Sequence, residues 1–202
     1  MDPKYINNGT YGCVFKPAIG CDKKTNNRNI SKLFSSKTAM YGEKSEHEKI
    51  NNDIDPTNIF TLKMIDQCDI QTNKFPQSEI SKCKNFSTNS QDPPNNLHQL
   101  IYEYGGYDLS SAATMFDFKS IFFASKSVFK GLVIMSKKKY CHIDIKPGNI
   151  VYNTKNNKVA LIDFGLSRST KNLYDNENLF IFRHPYAYYP PEFVMMTDYY
   201  KK

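Results

Sequence analysis

The sequence predicts an α+β chain, rich in strands in its first half and helical in its second. Three observations predict it. Short apolar runs at 29–34, 60–65 and 97–104 alternate with polar or glycine breaks, the pattern of a small sheet. A twenty-residue stretch, 117–136, places apolar residues at helical spacing. Hydrophobic residues make up 40% of 202 residues, enough for a buried core and too many for a disordered chain.

The elements follow in order. Tyr5 and Ile6, then Cys13, Val14 and Phe15, flank a glycine-bearing turn. Residues 29–34 read as a strand and 37–54 as a helix, with Glu46, Ile50 and Ile54 on one face. Asp55 and Pro56 end that helix. Residues 60–65 read as a strand. Residues 69–96 are rich in Asn, Gln, Ser, Lys and Pro and read as a long exposed, mobile insertion. Residues 97–104 return to strand until Gly105 and Gly106 break it. In 117–136, the stripe Phe118, Phe122, Ser125, Phe129 and Leu132, widened by Ile121, Val128 and Val133, predicts one buried helix. Residues 150–152 and 158–162 read as a small hairpin.

Lys and Arg total 27 against 20 Asp and Glu, a net charge of +7. The basic residues are 24 Lys and 3 Arg, dispersed except for Lys137, Lys138 and Lys139, so solvated faces are expected rather than a nucleic-acid surface. Five cysteines at 13, 21, 68, 83 and 141 show no paired spacing. They predict neither a disulfide framework nor a zinc site, and a reducing compartment. No signal peptide or membrane-length apolar run is visible, so a soluble intracellular protein is expected. The excess of 20 Asn and 17 Ile beside Lys is the bias of an AT-rich genome.

The chemistry concentrates in His142-Ile143-Asp144-Ile145-Lys146-Pro147-Gly148-Asn149, followed by Asp163-Phe164-Gly165. Phosphoryl transfer from ATP needs an oriented hydroxyl, a neutralised phosphate and a held magnesium ion. Asp144 can orient the hydroxyl and accept its proton, and Lys146 can sit on the transferring phosphate. Asn149 and Asp163 offer the hard oxygen ligands that Mg²⁺ prefers.

These residues resemble the catalytic loop and magnesium-binding motif of the eukaryotic-type protein kinases. Lys146, two residues after Asp144, is similar to the serine/threonine branch. The resemblance spans nearly the whole chain. It implies a two-lobed, protein-kinase-like α+β fold, with a small β-rich N-lobe (1–104), a hinge (103–107), an incomplete helical C-lobe (108–202) and ATP in the cleft. The stretch Asn7 to Val14 resembles the glycine-rich loop. By that likeness Ile6, Gly9, Thr10, Tyr11, Gly12 and Val14 belong to the ATP site, with Gly9 and Gly12 admitting phosphate to the backbone. Lys32 resembles the ATP-binding lysine. Glu43, Glu46 and Glu48 compete to pair with it, and Glu46, sharing a face with Ile50 and Ile54, is selected. Leu100 to Leu109 resembles the hinge, with backbone groups of Glu103 and Gly105 for adenine and Tyr102 as gatekeeper.

The departures carry expectations of their own. Ile143 replaces the arginine that binds a phosphorylated activation loop in many relatives, which argues against that style of switching. Tyr188 to Glu192 resembles the end of the activation segment, with Pro185 where a substrate-facing Ser or Thr is expected. The sequence ends ten residues past Glu192, before a bracing helix that the resemblance implies. The expectation is therefore a C-terminally truncated kinase. The aromatic tail from Phe180 to Tyr200 would lack its cover, and a downstream polypeptide is a possible completing partner. The composition is similar to kinases of giant DNA viruses, which would place the chain in host cytoplasm or virion. The implied activity is Mg²⁺-dependent transfer from ATP to a protein Ser or Thr, with no specific nucleic acid or membrane partner. A truncated nucleotide-binding module without transferase activity is the alternative. A small-molecule kinase is disfavoured by Lys146, by Phe164-Gly165 and by Pro190-Pro191-Glu192.

Overall fold

The computed structural model describes residues 2–9, 11–86 and 94–170. Two compact units divide the chain: Met1–Glu48 with Leu62–Tyr104, and Lys49–Thr61 with the chain from Gly105 onward. The first is β-rich and the second carries most of the helix, so the fold is α+β as expected. The expectations for Pro185, Tyr188 to Glu192 and the aromatic tail lie outside the described residues.

The first unit holds β1 (Lys4–Asn8), β2 (Cys13–Lys16), β3 (Ala18–Ile19), β4 (Thr25–Asn26), β5 (Asn29–Phe34), α1 (Lys37–Lys49, except its last residue), β6 (Met64–Gln71), α2 (Gln77–Ile80) and β7 (Asn96–Glu103). Five strands form an antiparallel sheet in the order β1-β2-β5-β7-β6. In β2, Cys13 and Phe15 are buried while Val14 and Lys16 are half-buried, the alternation of a sheet with one packed face. β7 sits between two strands, with Leu97 and the run from Gln99 through Tyr102 buried. At Gly12 a Cβ would lie 2.4 Å from the Leu33 carbonyl oxygen, so only glycine lets the β2 entry run this close to β5. Ser36 starts α1 by accepting a hydrogen bond from Ala39 N through Oγ.

Two expectations for this unit are corrected. Residues 69–96 are not simply an exposed insertion. β6 runs to Gln71, a 3-10 turn and α2 follow, and Phe75, Ile80, Cys83 and Phe86 are buried with Phe15 and Leu97. The polar composition concealed four apolar anchors spaced through it; residues 87–93 lie outside the described residues. The cysteines are also paired: Cys13 with Cys83 and Cys21 with Cys68, across 70 and 47 residues of sequence. The Cα atoms stand 5.8 and 5.9 Å apart, a juxtaposition made by the sheet that linear spacing cannot show. Cys141 is the free cysteine among the described residues.

The second unit begins with a π-helical turn, Ile50–Ile54, and a loop organised by one carboxylate. Buried Asp55 accepts from the amides of Ile59, Phe60 and Thr61 at 2.8, 2.9 and 3.0 Å and from the Thr61 hydroxyl at 2.9 Å. The predicted strand at 60–65 is therefore a pinned loop, because these amides are spent on Asp55 rather than on a ladder; the strand starts at Met64. Phe60 is fully buried, and its carbonyl accepts from Leu161 N.

After Gly105 come β8 (Tyr107–Asp108), α3 (Leu109–Met115), α4 (Phe118–Ala124), α5 (Lys126–Lys137), β9 (Tyr140–Cys141), β10 (Ile150–Asn153), β11 (Lys158–Leu161) and β12 (Arg168–Ser169). Asp108 and Asp117 cap α3 and α4 by accepting from Ser111 N and Ser120 N. The hydrogen bonds from the Ser120 amide and hydroxyl also pull the Asp117 pKa below the usual carboxylate value. β10 pairs with β11 and β8, and β9 with β12.

The single helix predicted at 117–136 is two, meeting at Ser125, whose Oγ donates back to the Ile121 carbonyl. The predicted buried stripe is also corrected. Phe118, Phe122, Phe129 and Val133 are exposed, while Ile121, Ala124, Val128, Gly131 and Met135 face the core. The small residues mark the buried face because Phe60 packs there: a Cβ on Gly131 would lie 2.2 Å from its ring. Among the described residues no helix is long and apolar enough to cross a membrane.

Gly131→Ala tests that contact. Alanine gains about 1 kcal/mol of helix propensity, but forcing a methyl into the ring costs about 1–3 kcal/mol. The variant is expected to lose stability in denaturant titration; a gain would show that Phe60 yields freely.

His47 gives a pH test. It is buried, its ring 5.1 Å from that of Tyr102. Burial lowers its pKa from 6.5 to about 4, aided by Lys32 and opposed by the Leu62 backbone and Glu48. The unfolded chain takes up this proton first, so the contribution is complete above pH 6.5 and is lost as pH falls toward 4. Between pH 7 and 5 the loss should be about 2 kcal/mol in wild type and absent in His47→Gln. Equal slopes in the two proteins would contradict it.

Candidate active site

Each unit contributes its own group of predicted residues. In the first, Lys32 on β5 pairs with Leu100 of β7 and Val14 of β2 in the strand register, so Val14 and Lys32 stand opposite one another. The glycine-bearing turn closes with Gly9 N donating to Gly12 O at 2.7 Å. A Cβ on Gly9 would lie 3.2 Å from Lys32 Cε, so the turn and the lysine are neighbours. Ile6 and Tyr11 are exposed, and Thr10 lies outside the described residues.

Lys32 Nζ meets Glu43 Oε2 at 2.5 Å, both side chains largely withdrawn from solvent. Glu43, not Glu46, is therefore the partner. The signal was present in α1: Met40, His47, Ile50 and Ile54 are buried, and Glu43 completes their three-and-four spacing. Reading backward from Ile50 in fours skipped His47 and selected Glu46. The buried Tyr102 hydroxyl donates to Glu43 Oε1 at 3.3 Å, so the carboxylate is held at both oxygens. Sequence reasoning did not anticipate this second donor. At the end of β7, Glu103 N donates to the Lys63 carbonyl at 3.0 Å, while Lys63 N donates to Glu103 Oε1. Gly105 is buried at the start of the second unit.

In the second unit the motif residues converge. His142, Asp144 and Asn149 are all buried. Asn149 Nδ2 donates to Asp144 Oδ2 at 2.7 Å and to the Asp144 carbonyl at 3.0 Å. Both partners are acceptors, which fixes the amide orientation and leaves Oδ1 as its acceptor. Lys146 Nζ lies 2.8 Å from the same Asp144 oxygen. Asn149 O accepts from Ile162 N at 2.9 Å, and the Ile162 carbonyl lies 3.2 Å from His142 Nε2. His142 Nδ1 accepts from Asp144 N at 3.3 Å. These two bonds require the neutral tautomer protonated on Nε2, and burial lowers the His142 pKa, favouring the neutral ring.

Asp163 follows Ile162 with φ +62°, and Ile143 precedes Asp144 with φ +67°. A left-handed backbone at a β-branched isoleucine costs on the order of 1–3 kcal/mol. Phe164 is buried with its ring 4.9 Å from that of His142, and Ser167 N returns to the Phe164 carbonyl. β12 pairs with β9, Arg168 opposite Cys141, tying the chain after Gly165 to the strand before His142.

Among the described residues no group of three or more His, Cys, Asp or Glu side chains is placed to cage a metal. Asn149 and Asp163 offer one neutral and one anionic oxygen donor. That set fits Mg²⁺, which takes one or two protein ligands and fills its shell with waters and substrate phosphates.

Residues 4–202 match the model of the protein kinase domain. Mitogen-activated protein kinase kinase 9 of Arabidopsis thaliana is 27% identical, over 92% of this chain and 56% of that protein. Cyclin-dependent kinase 12 of Drosophila melanogaster is 30% identical, over 96% of this chain and 16% of its own length. The serine/threonine-protein kinase prpf4B of Dictyostelium discoideum is 40% identical over 34% of the chain and 8% of its own length. The chain thus spans about half the length, or less, of these curated relatives. With a match that runs from the first strand through both groups of site residues, the chain belongs to the protein kinase domain family.

Proposed function

We propose that the chain transfers the γ-phosphoryl group of ATP to serine or threonine hydroxyls of protein substrates, with Mg²⁺ as the metal. The observation that carries this reading is the buried Asp144 carboxylate, oriented by Asn149 and Lys146. The family supports transfer to a protein. Lys146 and the likeness to the serine/threonine-protein kinase prpf4B of Dictyostelium discoideum support a Ser or Thr acceptor. Separation of the units at Tyr104 and Gly105 supports a hinge at 103–107, with the first unit as the small lobe.

In this reading Lys32, braced by Glu43, holds phosphate oxygens of the nucleotide, and the turn from Gly9 to Gly12 lays its backbone against them. Val14, with Ile6 and Tyr11, borders the base and sugar. The Glu103 carbonyl and the Gly105 backbone hydrogen-bond the adenine edge. Asn149 Oδ1 and the Asp163 carboxylate hold Mg²⁺, whose chemistry when bound is to offset negative charge on the phosphates. Asp144 orients the attacking hydroxyl and accepts its proton as the new O–P bond forms and the bond to ADP breaks. Lys146, beside Asp144, offsets charge on the transferring group.

Asp144→Asn tests the assignment. The side chain keeps its shape but loses the basic carboxylate, so transfer to a basic protein substrate should fall about 10²–10⁴-fold. ATP affinity should change by less than about threefold, a fraction of 1 kcal/mol. Phosphoamino-acid analysis should return phosphoserine or phosphothreonine. Strong transfer by the variant would overturn the role of Asp144. Background transfer by both proteins with ATP bound would favour a nucleotide-binding module, and phosphotyrosine would overturn the acceptor class.

A further inference from the structure

The segment between β6 and β7 holds the glycine-bearing turn at three separate points. Glu79 on α2 accepts from Tyr5 N through Oε2 at 2.8 Å. Asn85 Nδ2 donates to the Gly9 carbonyl at 3.1 Å, across 76 residues of sequence. Cys83 is bonded to Cys13, immediately after Gly12. The three attachments fall at residues 5, 9 and 13, on the strand entering the turn, within the turn and on the strand leaving it. Beneath them Phe75, Ile80 and Phe86 are buried with Phe15.

Such a turn needs holding. β1 is an edge strand, and two glycines give the turn more backbone freedom than any other pair of residues would. Its internal bond, Gly9 N to Gly12 O, leaves the Gly9 carbonyl for Asn85. Lys32, which the proposed function needs for phosphate, also lies beside Gly9. Both sulfur-bearing residues of the Cys13–Cys83 bond are fully buried, out of reach of a dissolved thiol in the folded unit. The bond is therefore a fixed tie and not an exchangeable switch.

We propose that residues 72–86 form a clamp that sets the glycine-bearing turn for nucleotide phosphate, with Asn85 as its positioning residue and Cys13–Cys83 as its covalent tie. The effect on ATP rests on the proposed function; the effect on the turn does not. Removing the Asn85 donor frees the turn without opening the core. The nucleotide should then bind more weakly while the chemical step at Asp144 keeps its rate.

The test compares wild type, Asn85→Asp and the double variant Cys13→Ser with Cys83→Ser. Asn85→Asp keeps the side-chain shape and removes the donor. Amide hydrogen exchange at Gly9 and Cys13 should speed up by about three- to tenfold in Asn85→Asp, the worth of one hydrogen bond, and by more in the double variant. The KM for ATP should rise by a similar factor of about three to ten, with kcat within about twofold and the thermal midpoint of Asn85→Asp lowered by no more than about 2–4 °C. A merely structural role would instead lower the midpoint and the amount of active enzyme while leaving KM alone. Unchanged exchange at Gly9 in both variants would overturn the clamp. If wild type binds no ATP, the proposed function fails, and the exchange rates still decide the clamp.

Discussion

A closed ring of hydrogen bonds around Asp144 organises the second unit. Asn149 Nδ2 reaches Asp144, Ile162 N reaches Asn149 O, His142 Nε2 reaches Ile162 O, and Asp144 N returns to His142 Nδ1. Each member is both held and holding, and His142, Asp144 and Asn149 are buried, where an unmatched polar group would cost on the order of 1–3 kcal/mol. Loss of one partner therefore strands the next, so the ring acts as a unit. Its members come from the loop 142–149 and from the residue before Asp163, which fixes these two segments to one another. It also sustains the left-handed backbone at Ile143 and Asp163.

The first unit solves a different problem. Lys32 is largely withdrawn from solvent and held in one direction. Glu43 supplies the countercharge from α1, while the Tyr102 hydroxyl fixes the other oxygen from β7. His47 packs on the Tyr102 ring, where burial keeps the imidazole neutral above about pH 4. The charge of Lys32 adds a smaller push in the same direction.

Legibility in the sequence followed the range of the interactions. The loop from His142 to Asn149 and the triplet at Asp163 could be read directly, because their spacing is local and the ring that joins them depends on that spacing. Lys32 and the glycine-bearing turn could be read from their order along the chain. Glu43 was missed because the helix face was phased from Ile50 and Ile54 alone, without Met40 and His47. The exposed phenylalanines of α4 and α5 were misread because size was taken for burial, whereas the core face is marked by Ala124 and Gly131, which make room for Phe60. The disulfides and the Asp55 loop were hidden for another reason. The bonds of Cys13 and Cys21 depend on where the fold carries their partners, and those of Asp55 on a turn four to six residues on that the apolar run at 60–65 masks.

In the proposed function Lys32 holds nucleotide phosphate and Asp163 holds Mg²⁺. Calorimetric titration of ATP, with Mg²⁺ and with a chelator, tests it most directly in wild type, Lys32→Met and Asp163→Ala. The account predicts that wild type loses at least about tenfold in affinity without Mg²⁺, about 1.4 kcal/mol. It also predicts that Asp163→Ala binds equally weakly in both conditions, and that Lys32→Met is weakened in both. Mg·ATP binding by Asp163→Ala as tight as that of wild type would contradict it.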